Sequence, residues 1–231
     1  MDLLAETSAL SQALDRLPPP RGVAAVLNPL RYAWAPHRYW LLRHCMAEGK
    51  VVPALRRRVL IVGMNPGPHG MCQTGLPFGD VVSARKVLGL PADYARAAGD
   101  DADLLVERQP GLASTMPAAK GKLVRRVDGF AHKTVEESGR RLWGLLEDMW
   151  GGLDALLADV FVMNMVPLAY CSEAGENLTP PDLDREDRER VLRPCLAYFR
   201  AVVRAMRPEV IVGVGRWSWT QCLMQVAERA D

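Results

Sequence analysis

The sequence predicts an α/β protein in which a parallel sheet is layered against helices. Three short apolar runs support this prediction, namely Val59–Val62, Val160–Val162 and Val210–Val212. Each run is continuous rather than alternating, which is typical of strands buried on both faces of a parallel sheet. Longer helical patterns surround the runs, as an α/β fold requires. In such a sheet, ligands bind beyond the carboxyl ends of the strands.

Two of the helical patterns can be placed. The segment from Asp182 to Met206 begins with acidic residues, which favour the amino end of a helix, and continues past Pro194. The segment from Leu142 to Trp150 predicts a second helix. The stretch from about Pro91 to Gly129 is polar and remains unassigned. We expect the first helix to present one apolar stripe formed by Leu192, Leu196, Phe199, Val203 and Met206.

Composition indicates one globular domain with an ample core, because the chain has 231 residues of which 49% are hydrophobic. No run approaches the roughly 20 apolar residues that span a bilayer, and the amino terminus lacks the pattern of a signal peptide. We therefore expect an intracellular protein, located in the nucleus if eukaryotic and in the cytoplasm if bacterial. The five cysteines form no CxxC pair, which favours reduced thiols over a zinc site.

The net charge of +2 does not by itself indicate a nucleic-acid partner. Basic residues occur in two places, as the run Arg56–Arg58 and as a later cluster. For such short runs we favour solvated surface charge, although a polyanionic partner is permitted. The later cluster comprises Lys120, Lys122, Arg125 and Arg126.

The segment GMNPGPHGMCQTGLPFG, residues 63–79, follows the first strand directly and is too rich in glycine and proline to be a helix or strand. Asn65 ends this strand and Asn164 ends the second. Either asparagine could simply form a turn. Two at the same sheet edge favour a pocket, because an amide can both donate and accept hydrogen bonds. The segment lacks the lysine of a phosphate-binding GxxxxGK[ST] loop, which disfavours a nucleotide enzyme.

Six segments between Asn28 and Arg216 form an ordered set of motifs. They are NPLRYAWAPH, GMNPGPHGMCQTGLPFG, ESGRRLWG, FVMNMVPL, NLTPPDL and VIVGVGR. In this order they resemble the single-strand-selective monofunctional uracil-DNA glycosylases. The resemblance implies a three-layer α/β/α fold with a short central parallel sheet, and one domain over residues 1–231 that is incomplete at its carboxyl end.

The resemblance implies hydrolysis of the N-glycosidic bond of uracil, and of 5-substituted uracils such as 5-hydroxymethyluracil, in single- and double-stranded DNA during base excision repair. Such enzymes flip the base into a pocket. By this resemblance Asn65 positions the attacking water, Phe78 stacks on the uracil and Asn164 reads its edge. No cofactor and no metal are implied, and the protein is expected to be a monomer. The pocket lining is assigned to Met64, Gly67 and Met71, and the DNA contact to Ala174, Gly175, Asn177, Leu178, Thr179 and Pro180.

The sequence departs from the family in one respect. Members carry a His-Pro-Ser-Pro motif after the VGVG strand, and no such motif follows Gly215 here. We therefore expect either a shortened version of a longer glycosylase, which we favour, or a paralogue that binds DNA or uracil but scarcely catalyses. None of the four histidines is an obvious substitute. We expect His37 and His44 to be structural, His69 to lie near the pocket and His132 to be solvated.

Overall fold

The structure, a computed structural model, describes residues 1–47, 50–90 and 127–227. The cluster from Lys120 to Arg126 lies outside the described residues, as does most of the unassigned stretch. Within these residues the strands are β1 (Ala25–Leu27), β2 (Met46–Ala47), β3 (Lys50–Val51), β4 (Val59–Gly63), β5 (Val160–Asn164), β6 (Ala169–Cys171), β7 (Asn177–Leu178) and β8 (Val210–Gly213). The helices are α1 (Leu3–Asp15), α2 (Pro29–Tyr32), α3 (Trp34–Leu42), α4 (Met71–Thr74), α5 (Val81–Leu88), α6 (Glu137–Trp150), α7 (Leu153–Asp159), α8 (Arg185–Met206) and α9 (Arg216–Ala227).

The central sheet is parallel and has the strand order β5–β4–β8. Its strands contain the three predicted apolar runs, so the predicted α/β class is confirmed. Leu60 of β4 pairs with Phe161 on one side and with Ile211 on the other. Because the strands are parallel, their carboxyl ends lie at one edge of the sheet. Gly63 and Asn164 form the last pair of β4 and β5 at this edge.

The burial of β8 differs from the prediction. β5 is wholly buried, and β4 is buried beyond its first residue. In β8, however, Val210 and Val212 are 51% and 41% exposed. The first turn of α9 packs against Gly213 on the opposite face. The prediction of burial on both faces is therefore wrong for β8, because this edge strand is covered on one face only within the described residues.

A second, antiparallel sheet of order β1–β6–β7 was not predicted. Ala25 pairs with Cys171, and Tyr170 pairs with Leu178. These strands have two or three residues each, which is too short for apolar periodicity to indicate them. The sheet folds residues 172–176 into the turn between β6 and β7.

Both predicted helices are confirmed, with different boundaries. The longer one, α8, begins at Arg185 rather than Asp182, because residues Pro180–Asp182 form a 3-10 turn. The other, α6, begins at Glu137 rather than Leu142. The predicted apolar stripe of α8 is partly wrong, since Leu192, Leu196 and Val203 are only half-buried. The buried stripe lies beside it and comprises Val191, Cys195, Tyr198, Phe199, Val202 and Met206.

The Arg56–Arg58 run lies at the amino end of β4, opposite the edge that carries the two asparagines. Arg57 is buried, and its Nε–H donates a hydrogen bond to His44 Nδ1 at 3.0 Å. Arg56 and Arg58 form ion pairs with Glu209. The prediction of simple solvated charge is therefore wrong for Arg57. The run contributes no charge to the candidate site.

The hydrophobic core packs helix α3 against the parallel sheet. Trp40 of α3 stacks on Phe161 of β5, with ring centroids 5.9 Å apart and planes inclined by 8°. None of the five cysteines forms a disulfide bond, and all five are buried. Within the part of the chain that the structure describes, no helix is both long and apolar enough to cross a membrane.

We expect Gly213→Ala to lower the free energy of unfolding by about 1–3 kcal/mol, because overpacking forces neighbouring backbone apart. A Cβ on Gly213 would overlap the backbone of Trp219 in α9. Gly144→Ala is the matched control: this exposed position in α6 has open space around it, so we expect a gain of about 0.5–1 kcal/mol. Urea unfolding of both variants measures the difference. Equal stability of Gly213→Ala and the parent would contradict the close packing of α9 on β8.

Candidate active site

The loop from Gly63 to Gly79 leaves β4 beside the end of β5. Two backbone hydrogen bonds continue the strand pairing into the loop. The Met165 N–H donates to Gly63 O at 2.8 Å, and the Val166 N–H donates to Met64 O at 2.9 Å. The start of the loop is therefore held in register with the residues that follow Asn164.

Asn65 is half-buried near the start of the loop. Its Nδ2 donates a hydrogen bond to Leu168 O at 3.4 Å. Its side-chain oxygen accepts no hydrogen bond from the described residues. The amide is thus oriented through its nitrogen, while its oxygen can accept a hydrogen bond from a water molecule.

Asn164 and Phe78 meet at Gly63, at the edge of the sheet where β4 and β5 end. A Cβ on Gly63 would overlap both Asn164 Oδ1 and the ring of Phe78. Asn164 is buried, and its Nδ2 donates a hydrogen bond to Met71 Sδ at 3.2 Å. A thioether is a weak acceptor, so a stronger acceptor on a ligand can replace it. The amide oxygen has no partner among the described residues.

Phe78 has an unusual backbone conformation. Its φ is +54°, in the left-handed region that side chains other than glycine rarely adopt. Such strain costs on the order of 1–3 kcal/mol and is concentrated at functional sites. The carbonyl oxygen of Phe78 lies against Gly139 of α6, where a Cβ would overlap it. Helix α6 therefore supports the backbone that aims the ring.

Of the three predicted lining residues, Met64 and Gly67 are half-buried and Met71 is buried. Met71 contributes its sulfur, through the hydrogen bond from Asn164, and not only its backbone as expected. Gly67 is covered by a residue that the sequence did not indicate. A Cβ on Gly67 would overlap the carboxyl group of Glu136.

Glu136 occupies the N-cap position of α6, but its side chain makes no capping hydrogen bond. Its carboxyl group instead lies against the loop, where a Cβ on Gly67 or on Gly70 would overlap it. One carboxyl oxygen is 3.4 Å from the position that a Cβ of Gly139 would take, beside the Phe78 carbonyl. The absence of side chains at these three glycines makes room for Glu136. No local sequence pattern could have identified it, because the contact joins segments far apart in the chain.

The Glu136 carboxyl is in an environment that disfavours its ionised form. Burial raises the pKa of Glu136 from 4.5 to about 7, and the nearby negative charge of Asp80 adds to this effect. No described residue donates a hydrogen bond to it. The neighbouring Glu137 differs, because its pKa is lowered to about 2 by hydrogen bonds from Arg140 and Arg141. A group with a pKa near neutrality beside a candidate pocket is a candidate functional residue.

Two of the histidines have structural roles, as expected. His37 is buried, and its Nδ1 lies 2.8 Å from Gly75 O, which fixes the loop to α3. Burial lowers the pKa of His37 to about 4, so the ring is neutral. His44 is also buried, and its pKa is lowered by burial and then by the charges of Arg57 and Arg43.

The other two histidines form a pair. His69 Nδ1 lies 3.0 Å from His132 Nε2, and the rings are stacked with centroids 5.2 Å apart. His132 Nδ1 lies 3.3 Å from a carboxyl oxygen of Asp128. The prediction that His132 is solvated is wrong, because its side chain is only 13% exposed beneath the loop. Among the described residues, no group of three or more acidic, histidine or cysteine side chains could hold a metal ion.

The predicted DNA-contact segment lies in the hairpin of β6 and β7 and in the residues that follow it, outside the parallel sheet. Ala174 and Asn177 are exposed, whereas Gly175, Leu178 and Thr179 are half-buried. The Ser172 N–H closes the turn by donating to Glu176 O at 3.0 Å. Thr179 donates two hydrogen bonds to Asp182, which fixes the end of the segment. Pro180 is buried, so it can shape this surface but offers little area to a ligand.

The sequence also matches a known protein family. The sequence model of the uracil DNA glycosylase superfamily matches residues 50–229. The chain therefore belongs to the uracil DNA glycosylase superfamily.

Its relatives in this superfamily are single-strand selective monofunctional uracil-DNA glycosylases, so the resemblance seen in the six segments is confirmed. Those of Rattus norvegicus and Bos taurus are each 34% identical over 213 residues, which cover 92% of this chain. The chain spans 66% of the rat relative's length and 68% of the bovine relative's. Among solved structures, wild-type SMUG2 of Pedobacter heparinus superposes with a TM-score of 0.48 at 15% identity, covering 97% of each chain.

We expect Glu136→Gln to stabilise the protein increasingly as pH rises. The folded-state pKa of Glu136, about 7, lies above its ordinary value of 4.5. The folded state therefore keeps a proton that the unfolded chain releases, and stability falls as pH rises between these values. Glutamine removes this loss without changing the side-chain shape. Melting temperatures at about pH 5 and pH 8 should show a larger gain for the variant at the higher pH.

The control is Glu137→Gln, at the next residue. Its pKa is lowered from 4.5 to about 2, so its contribution is present above the ordinary value and is lost as pH falls from there through about 2. We expect this variant to change the melting temperature by the same amount at both pH values. A pH-independent effect of Glu136→Gln would show that Glu136 does not titrate near neutrality.

Proposed function

We propose that this chain is a DNA glycosylase that hydrolyses the N-glycosidic bond of uracil in DNA. The observation that carries the proposal is the meeting of Phe78 and Asn164 at Gly63, two residues before Asn65. An aromatic ring and a buried amide are the groups needed to stack on a flipped base and to read its edge. The curated relatives are named as uracil-DNA glycosylases.

Asn164 can distinguish uracil from cytosine by its hydrogen bonds. Its amide nitrogen can donate to O4 of uracil while its oxygen accepts from N3–H. Cytosine presents the reverse pattern and would leave buried polar groups unsatisfied, at a cost of on the order of 1–3 kcal/mol for each. The weak bond to Met71 Sδ orients the amide before the base enters.

The reaction breaks the C1′–N1 bond, and the electron pair of that bond leaves with the base. Water held by Asn65 supplies the oxygen that bonds to C1′, through a transition state with oxocarbenium character. Phe78 holds the base in the pocket, and the backbone near Met64 and Gly67 closes around it. No step requires a cofactor. We extend the proposed substrates to 5-substituted uracils such as 5-hydroxymethyluracil, in single- and double-stranded DNA.

The partner in this proposal is uracil-containing DNA, and the β6–β7 hairpin supplies part of its contact surface. The exposed Ala174 and Asn177 make the tip of this hairpin accessible. Its neighbours Glu173 and Glu176 are acidic and exposed, which favours contact with sugar or base over phosphate at the tip. We further propose that the protein acts as a monomer inside the cell, in the nucleus of a eukaryote or the cytoplasm of a bacterium.

The proposal is tested by uracil release from a single-stranded oligonucleotide that contains one uracil. We expect the chain to release uracil and to leave an abasic site without cutting the strand. An oligonucleotide with cytosine at the same position is the substrate control. Retention of uracil-containing DNA without base release would instead support a module that binds DNA or uracil without catalysis.

We expect Asn164→Asp to lower uracil release by about 10- to 100-fold, because an ionised carboxylate cannot donate to O4. Gln12→Glu makes the same chemical change at an exposed position on α1 and should leave the rate unchanged. Single-turnover rates of the two variants and the parent measure the effect. Equal rates for Asn164→Asp and the parent would remove Asn164 from the proposed site.

A further inference from the structure

The proposed reaction leaves one proton without an acceptor. Water must lose a proton when its oxygen bonds to C1′. The amide of Asn65 can orient that water, but an amide is not basic enough to take the proton. This inference rests on the proposed function and concerns the same site.

Most titratable groups around the loop have their hydrogen-bonding capacity engaged within the protein. Asp80 caps α5 by accepting hydrogen bonds from two backbone N–H groups and from Ser83 Oγ. His69 is bonded to His132, which is bonded to Asp128. His37 is bonded to Gly75 O. These groups are therefore already engaged in hydrogen bonds within the protein.

Glu136 is different, because its carboxyl receives no hydrogen bond from any described residue and yet lies against the loop. A Cβ on Gly67 or on Gly70 would overlap this carboxyl group. The Cα atoms of Asn65 and Gly67 are at most about 7.6 Å apart, since they are separated by two peptide units. The Glu136 carboxyl therefore contacts the loop two residues from Asn65.

We propose that Glu136 is the general base that accepts the proton of the water oriented by Asn65, directly or through one further water. In this step the water oxygen bonds to C1′, the C1′–N1 electron pair leaves with uracil as an anion, and the proton moves to the Glu136 carboxylate. The anion later takes up a proton, either from the carboxyl group of Glu136 or from solvent. Charge and atoms balance without another reactant.

The surroundings of Glu136 suit this role. Its pKa of about 7 keeps part of the population ionised at neutral pH, where a general base is most effective. From α5, the negative charge of Asp80 acts on it. The loop that it contacts also carries His69, which is bonded to His132 and through it to Asp128. On its own helix, Glu137 is ion-paired with Arg140 and Arg141 and is exposed.

The test is a pH profile of single-turnover uracil release from a single-stranded oligonucleotide, measured for the parent, Glu136→Gln and Glu137→Gln. We expect the parent rate to rise with pH and to level off above an apparent pKa near 7. Glu136→Gln should lose about 10²- to 10⁴-fold at high pH and show no rise through this range. Glu137→Gln should follow the parent, because its ion pairs face solvent.

A second variant separates proton transfer from positioning. Glu136→Ala opens space beside Gly67, and added formate can occupy it and accept the proton. We expect formate to restore part of the uracil release of this variant and to leave the rate of Glu136→Gln unchanged. The melting temperature of Glu136→Ala, measured in parallel, shows whether this variant is folded.

The outcomes are distinguishable. A Glu136→Gln variant that is slower but keeps the parent's pH profile would make Glu136 a positioning residue and overturn the proposal. An active parent with an unchanged Glu136→Gln rate would overturn the proposal alone. A folded parent that releases no uracil at any pH would overturn the proposed function and this inference with it.

Discussion

The parallel register of β4 and β5 is the constraint on which the candidate site depends. It pairs Gly63 with Asn164 at the last position of the two strands, and two further backbone hydrogen bonds carry the pairing into the loop. A shift by one residue would turn Asn164 to the other face of the sheet. Asn164 would then no longer meet the ring of Phe78 at Gly63.

The rest of the site depends on glycines, because the lack of a side chain at these positions leaves room for groups from other segments. Gly63 admits Phe78 and Asn164, while Gly67 and Gly70 admit the carboxyl of Glu136. Each glycine lies where a Cβ would collide with a polar or aromatic group from a distant segment. Close backbone approach of this kind creates a pocket wall made of peptide groups, whose shape varies little because the neighbouring prolines restrict the chain.

The site also contains unfavourable local features. Phe78 adopts a left-handed conformation, and Glu136 is a carboxyl group whose ionised form is disfavoured by burial and by Asp80. Both reduce stability and are retained where the surrounding fold supplies enough stability to hold them. This stability comes from the hydrophobic core, which includes the buried stripe of α8 and the stacking of Trp40 on Phe161.

The three strands of the parallel sheet, the long helix and the two asparagines can be recognised in the linear sequence, because apolar runs and turn residues are local signals. The site around them arises from contacts between distant segments. Glu136 reaches Gly67 only through the packing of α6, and His132 is placed beneath His69 by the fold. The exposed face of β8 likewise follows from its position at the sheet edge. Burial, pKa shifts and pocket walls depend on neighbours in space, whereas a single sequence displays only neighbours along the chain.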